Sequence, residues 1–313
     1  MKLFHLIFVL FAVLMWNGCI DDSANAGCPV EPEDNFILKF RYQGNDPNEL
    51  FIKKIQKVDV FVFTDDGLFV TVQSADLAAL TSFTGITLNL DPGSYQIVCW
   101  GNVSDKNHIT PLKRSNRLSD ALLYNTAARS GIATTNGDSL YFASDNFTLS
   151  PSLKTATKAE NVIERILNFR SAHITVQVYT KGLVDKNAQG ELLPPIIEMT
   201  GVPGGYNFAM ETAGNPISYL DTSAFQNISG EEFTAITFLT PRFTDNNAIE
   251  VIIRKGSDGS ILTNINLKNF MLENNITVDN TPEAVIPILV EYKEASIIIS
   301  VPEWGQTPVD PEL

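Results

Sequence analysis

Phe36-Ile37-Leu38-Lys39-Phe40-Arg41-Tyr42 places Phe36, Leu38, Phe40 and Tyr42 on one side of an extended chain and Lys39 and Arg41 on the other. Alternation with period two marks a half-buried β-strand, because successive side chains of a strand point to opposite faces. Segments of this kind return along the chain, each closed by Gly, Pro, Asp or Asn, and this punctuation argues against a helical bundle. Val58 to Phe63 is apolar on both faces but for Asp59, which predicts a central strand. Thr64-Asp65-Asp66-Gly67 closes a hairpin, with Asp-Gly supplying its left-handed positions, and Leu68 to Val72 returns. Ile86 to Leu90 and Ser94 to Trp100 flank the turn Asp91-Pro92-Gly93. In the latter, Tyr95, Ile97 and Cys99 share one face, and Val98 and Trp100 the other. Ser139 to Ala143 and Asn146 to Leu149 predict two further strands, and Leu118, Ala121, Leu122 and Ala128, within residues 114–130, are spaced for a short amphipathic helix.

A second series starts near Arg170. From Ala172 to Tyr179, Ile174, Val176 and Val178 alternate with Thr175, Gln177 and Tyr179. Ala235 to Leu239, Ala248 to Arg254, the turn Gly256-Ser257-Asp258-Gly259, Ser260 to Leu267, Val285 to Tyr292 and Ala295 to Val301 follow. The Lys-, Thr- and Ala-rich stretch 150–172 separates the two series and holds one more candidate strand, Asn161 to Leu167. The expectation is an all-β chain of two β-sandwich domains in tandem with minor helical insertions, over residues 36–160 and 161–313.

Ahead of them, Leu3 to Trp16 is apolar save for His5, long enough for a signal-peptide core and short of the roughly 20 residues that span a bilayer. It ends in Trp16-Asn17-Gly18-Cys19, followed by Ile20-Asp21-Asp22. A small residue before Cys at the end of an apolar core resembles a bacterial lipoprotein processing site. That assigns residues 1–18 to a signal peptide, Cys19 to acylation and the polar residues 19–35 to a tether. Plain secretion with cleavage near Ala24 or Ala26 is the alternative.

Exported chains meet an oxidising compartment, where Cys28 and Cys99 can pair. A Cys28–Cys99 bridge would close a loop of about 70 residues and contribute about 4 kcal/mol through chain entropy; two buried thiols are the other outcome. The formal charge of −14 carries no electrostatic footprint for nucleic acid. There is no Gly-Lys pair for a phosphate loop, no His-Glu-x-x-His and no Gly-x-Ser-x-Gly. His108 and His173 are the only histidines beyond the apolar run, and Asp65 and Asp66 fit a turn better than a calcium site. No catalytic, cofactor-binding or metal-ligating residue is assigned, and no cofactor is expected.

Cys28-Pro29, the strand Phe36–Tyr42, Val58–Phe63 with Thr64-Asp65-Asp66-Gly67-Leu68-Phe69, Leu90-Asp91-Pro92-Gly93-Ser94-Tyr95 and Cys99-Trp100-Gly101-Asn102 come in a fixed order. This order resembles the fimbrillin-A-associated anchor proteins, the FimB-like lipoproteins of type V pili, over residues 19–102 and more loosely to Trp304. The resemblance implies transthyretin-like sandwiches and a lipid-anchored outer-membrane protein at the base of a fimbrium. Its partners would be fimbrial shaft subunits, joined by strand exchange. The candidate exchange segment carries Ala295, Ile297, Ile299 and Val301; the plainer reading makes it the last strand of the second domain. A tip or stalk subunit, or a surface glycan-binding lipoprotein with an exposed row of Tyr and Trp, are the competing readings.

Overall fold

The computed structural model describes residues 35–130, 133–150 and 162–306. Its first series of strands is β1 (Phe36–Arg41), β2 (Lys57–Thr64), β3 (Phe69–Asp76), β4 (Gly85–Leu88), β5 (Gly93–Gly101), β6 (Asn107–Ile109), β7 (Leu122–Asn125), β8 (Tyr141–Leu149), β9 (Ile163–Asn168) and β10 (Arg170–Ser171). The second is β11 (His173–Lys181), β12 (Ile196–Val202), β13 (Gly205–Asn207), β14 (Thr212–Ala213), β15 (Ile217–Thr222), β16 (Ala224–Ile228), β17 (Glu231–Pro241), β18 (Glu250–Arg254), β19 (Ile261–Asn266), β20 (Ala284–Lys293) and β21 (Ser296–Ser300). Helical segments are short: α1 (Phe51–Lys54), α2 (Leu77–Ser82), α3 (Ala127–Ser130) and α4 (Leu267–Glu273). The fold is all-β and built from two sandwiches.

In the first sandwich the sheet β4-β1-β9 faces the sheet β10-β8-β5-β2-β3. The alternation of β1 does what its pattern demands: Phe36, Leu38 and Phe40 enter a core with Val58, Val60 and Val62 of β2 and Tyr95, Ile97 and Cys99 of β5. Phe36 stacks on Phe147 with ring centroids 4.1 Å apart. The hairpin turn forms as its sequence requires, with Gly67 at φ +83°. The second face of β2 and β5 is covered as well: Phe61, Phe63, Val98 and Trp100 form a separate core with Leu123 of β7 and Tyr206 of β13. Apolar residues on both faces of β2 therefore report a three-layer arrangement, whose outer layer is the sheet β14-β13-β7-β6.

That outer sheet joins the two halves of the chain. β13 pairs with β7, Gly205 opposite Tyr124 and Tyr206 opposite Leu123. A Cβ on Gly205 would lie 2.1 Å from the carbonyl oxygen of Leu123, so the close approach of these strands depends on glycine. Asn136 adds a second tie, its Oδ1 accepting from the Leu239 amide at 2.7 Å. Tyr42 adds a third, its hydroxyl donating to Glu283 at 2.7 Å.

The second sandwich packs β16-β17-β11-β20-β21 against β15-β12-β18-β19. Ile174, Val176 and Val178 of β11 meet Ile197 and Met199 of β12, Val251 and Ile253 of β18, and Leu267 and Phe270 of α4.

Four expectations change. The first core runs past residue 160: β9 lies parallel to β1 and Leu167 and Phe169 are buried there, so this segment completes the first sandwich. Residues 114–130 hold no amphipathic helix but a 3-10 turn at Leu118–Asp120, then β7, then α3. The backbone of β7 is satisfied by β6 and the distant β13, partners that local periodicity does not register. The two strands anticipated over 139–149 are one, because Ser144, Asp145 and Asn146 stay in register with Val98, Ile97 and Gln96. Ala295 lies in the turn before β21 and not in a strand.

Candidate functional site

Cys19 and Cys28 lie outside the described residues. Cys99 is a free thiol, fully buried on the inner face of β5, and desolvation there pushes its pKa well above the ordinary thiol range. Trp100 is buried on the opposite face, in contact with Phe142, Tyr206 and Phe208. Trp304 packs edge-on against Phe233 and Tyr179, at 5.0 and 6.0 Å between ring centroids. Among the described residues the exposed large apolar side chains include no Tyr or Trp, so the aromatic row that a glycan-binding face calls for is not formed.

The polar residues singled out in the sequence are engaged locally. Asp66 accepts from the Thr64 hydroxyl within the hairpin turn, and the Asp66 carbonyl receives Arg117 Nη1 at 2.9 Å. His173 sits at the start of β11 with Nδ1 2.9 Å from the Leu140 carbonyl, and burial lowers its pKa. Among the described residues no group of three or more His, Cys, Asp or Glu side chains is placed to share a metal ion. No helix among them is long and apolar enough to cross a membrane.

The segment from Ala295 to Val301 has the most distinctive surface. β21 pairs antiparallel with β20, Leu289 opposite Ser300 through Lys293 opposite Ser296, and it closes one side of the five-stranded sheet. Among the described residues no strand lies beside its other edge. Ile297, Ile298 and Ile299 are 47%, 38% and 38% exposed, on both faces of the strand. Val301 turns back onto the second core, and Pro302 ends the strand. Edge strands of soluble proteins are commonly blunted by Lys, Pro or a bulge, since their unpaired N–H and C=O groups recruit other chains. Ser296–Ser300 carries neither Lys nor Pro, and its register is regular. The opposite edge, β16, exposes Phe225 among Ala224, Gln226 and Asn227 and ends on the half-buried Ile228. Sequence reasoning located the β21 segment; it missed β12 through β16, among which β13 builds the seam between the halves.

This fold, two tandem sandwiches, is shared by solved fimbrial and adhesin structures. The fimbrial anchor protein Mfa2 from Porphyromonas gingivalis has the same fold, with a TM-score of 0.63 at 17% identity over 84% of this chain and 94% of that one. A proposed adhesin of Bacteroides ovatus matches at a TM-score of 0.63, 17% identity, 85% of this chain and 92% of its own. A proposed polysaccharide-binding protein of Bacteroides thetaiotaomicron matches at 0.64, 14% identity, 88% of this chain and 100% of its own. No curated protein matches. The family profile of fimbrillin-A associated anchor proteins Mfa1 and Mfa2 matches residues 25–308, and the chain belongs to that family. Its role is a fimbrium-associated one.

Proposed function

We propose that this chain is a lipid-anchored outer-membrane subunit that holds the base of a fimbrium, acylated at Cys19 and joined to a shaft subunit by strand addition. The observation that carries the reading is the unblunted edge of β21, beside which no other described strand lies, with Ile297, Ile298 and Ile299 exposed along it. An extended segment of a partner would gain main-chain hydrogen bonds along Ser296–Ser300 and bury the isoleucines, the usual economy of β-augmentation. In this arrangement β21 stays in its own sheet and receives a strand; it is not itself donated. Acylation would hold such a complex at the membrane, each buried methylene contributing about 0.8 kcal/mol and two chains giving stable attachment.

The test is mass spectrometry of the N-terminal peptide from membrane-purified protein, paired with co-purification of shaft subunits. Diacyl or triacyl Cys19 and shaft capture that is lost in Ile298→Lys support the reading. A free N-terminus at Ala24, Ala26 or beyond the first strand would move the assignment to a stalk or tip subunit. Shaft capture undiminished in folded Ile298→Lys would remove β21 as the docking edge.

A further inference from the structure

A cleft of about 560 Å³ opens where the last strand of the first sandwich meets the loops of the second. Its size is that of a small-molecule site, for which about 300–1,000 Å³ is usual. Two arginines line it. Arg170, on β10, lies with its guanidinium carbon 5.2 Å over the ring of Phe142, and Arg242 follows β17. The ion pairs of the described residues engage Lys39, Lys57, Lys181, Arg254 and Lys293, so neither arginine of the cleft is ion-paired with a carboxylate among the described residues. In a chain of formal charge −14, two arginines lining one cleft do not follow from general basicity.

The two arginines differ in what they have left to offer. Arg242 is fixed by the 278–282 loop: Nη2 donates to the carbonyls of Val278 at 2.6 Å and Thr281 at 2.8 Å, and Nη1 to that of Pro282 at 3.3 Å. Burial and the nearby Arg170 charge both lower its pKa. Arg170 makes no side-chain hydrogen bond among the described residues, and its planar fork suits a bidentate oxyanion. Thr212 and Asn280, also in the lining, likewise have no side-chain hydrogen bond there. Asp279 and Glu211 stand in the same lining. Asp279 acts on Arg242, and Glu211 accepts from Asn207 Nδ2 at 2.8 Å. The acids leave Arg170 as the open cationic position.

We propose that this cleft binds a small carboxylate ligand, its carboxylate received by Arg170 beside Arg242, with Thr212 and Asn280 meeting polar groups next to it. A carboxylate fits the fork of Arg170 with the planar geometry that a tetrahedral phosphate does not need, and the two rim acids disfavour a more highly charged anion.

The experiment is calorimetric titration of the purified chain with sodium D-glucuronate at low ionic strength, with inorganic phosphate and an Asp/Glu-rich peptide as parallel arms. Saturable glucuronate binding is expected, weakened at least about tenfold by Arg170→Gln. Asp279→Asn, which removes a rim charge, strengthens it about twofold to fivefold. Should Arg170→Gln fail to fold, the Asp279→Asn gain decides alone. The proposal is overturned by absence of saturable glucuronate binding in both the parent and Asp279→Asn chains, or by undiminished binding in folded Arg170→Gln. Phosphate binding more tightly than glucuronate would overturn the carboxylate assignment, and binding of the peptide alone would overturn the small-ligand one.

Discussion

Replacing Gly205 by Ala tests whether the shared outer sheet holds the two halves together. The added Cβ would sit 2.1 Å from the Leu123 carbonyl oxygen and 2.6 Å from the Tyr124 Cα, and both obstacles are backbone atoms of β7. No rotamer change relieves a backbone clash, so β13 and β7 must separate and lose ladder hydrogen bonds beside the core of Trp100, Leu123 and Tyr206. The upper end of overpacking costs applies, about 3 kcal/mol. For a chain of this size each kcal/mol moves the unfolding midpoint by about 2–4 °C, which gives a fall of roughly 6–12 °C. Gly259→Ala is the reference: it has φ +73° and open space around the would-be Cβ, so only backbone strain of about 1 kcal/mol is charged. Differential scanning calorimetry of the three proteins compares them directly. A midpoint for Gly205→Ala equal to or above that of Gly259→Ala would refute the close-approach argument, and with it the seam as a stabilising contact.

Trp100→Ala should cost about 3–5 kcal/mol in urea unfolding. Trp100→Phe should cost much less, because it also removes an indole N–H that is buried without a partner. Cys99 should resist aromatic disulfide reagents at pH 8 in the folded chain and react at once in denaturant; rapid labelling without denaturant would contradict its burial and raised pKa. His173 has a folded pKa below its unfolded value, so the unfolded chain takes up the extra proton as pH falls through about 6.5 and stability drops in that direction. His173→Gln should flatten the slope of midpoint against pH between about 7 and 5; an unchanged slope would remove His173 as its source.

Where a strand buries one face or sits between neighbours, its residues announced it. Phe36, Leu38 and Phe40 alternate because only one face of β1 meets the core, and Val58 to Phe63 is apolar throughout because β2 is covered twice. The segments that went unread owe their conformation to distant partners. Gly205-Tyr206-Asn207 has no periodicity of its own and becomes a strand by pairing with β7, more than seventy positions earlier in the chain. Leu122 has helical spacing from Leu118 yet is exposed, while its neighbour Leu123 is the buried one. The edge strand β21 is legible as an isoleucine-rich segment, but its single-sided pairing follows from sheet order alone. The arginine cleft had no sequence signal, since Arg170 and Arg242 are brought together by the junction of the sandwiches.

β1 is the first element of the described body and the middle strand of its sheet, held by β4 from Phe36 to Lys39 and by the parallel β9 from Phe36 to Arg41. A tug that enters the body at Asn35 runs along the axis of this strand, across the direction of its rungs. Rungs loaded that way share the force and give way together, whereas an edge strand pulled sideways unzips one rung at a time. A pull along β1 would therefore load the ladders to β4 and β9 together, and β1 could leave its sheet only by breaking both.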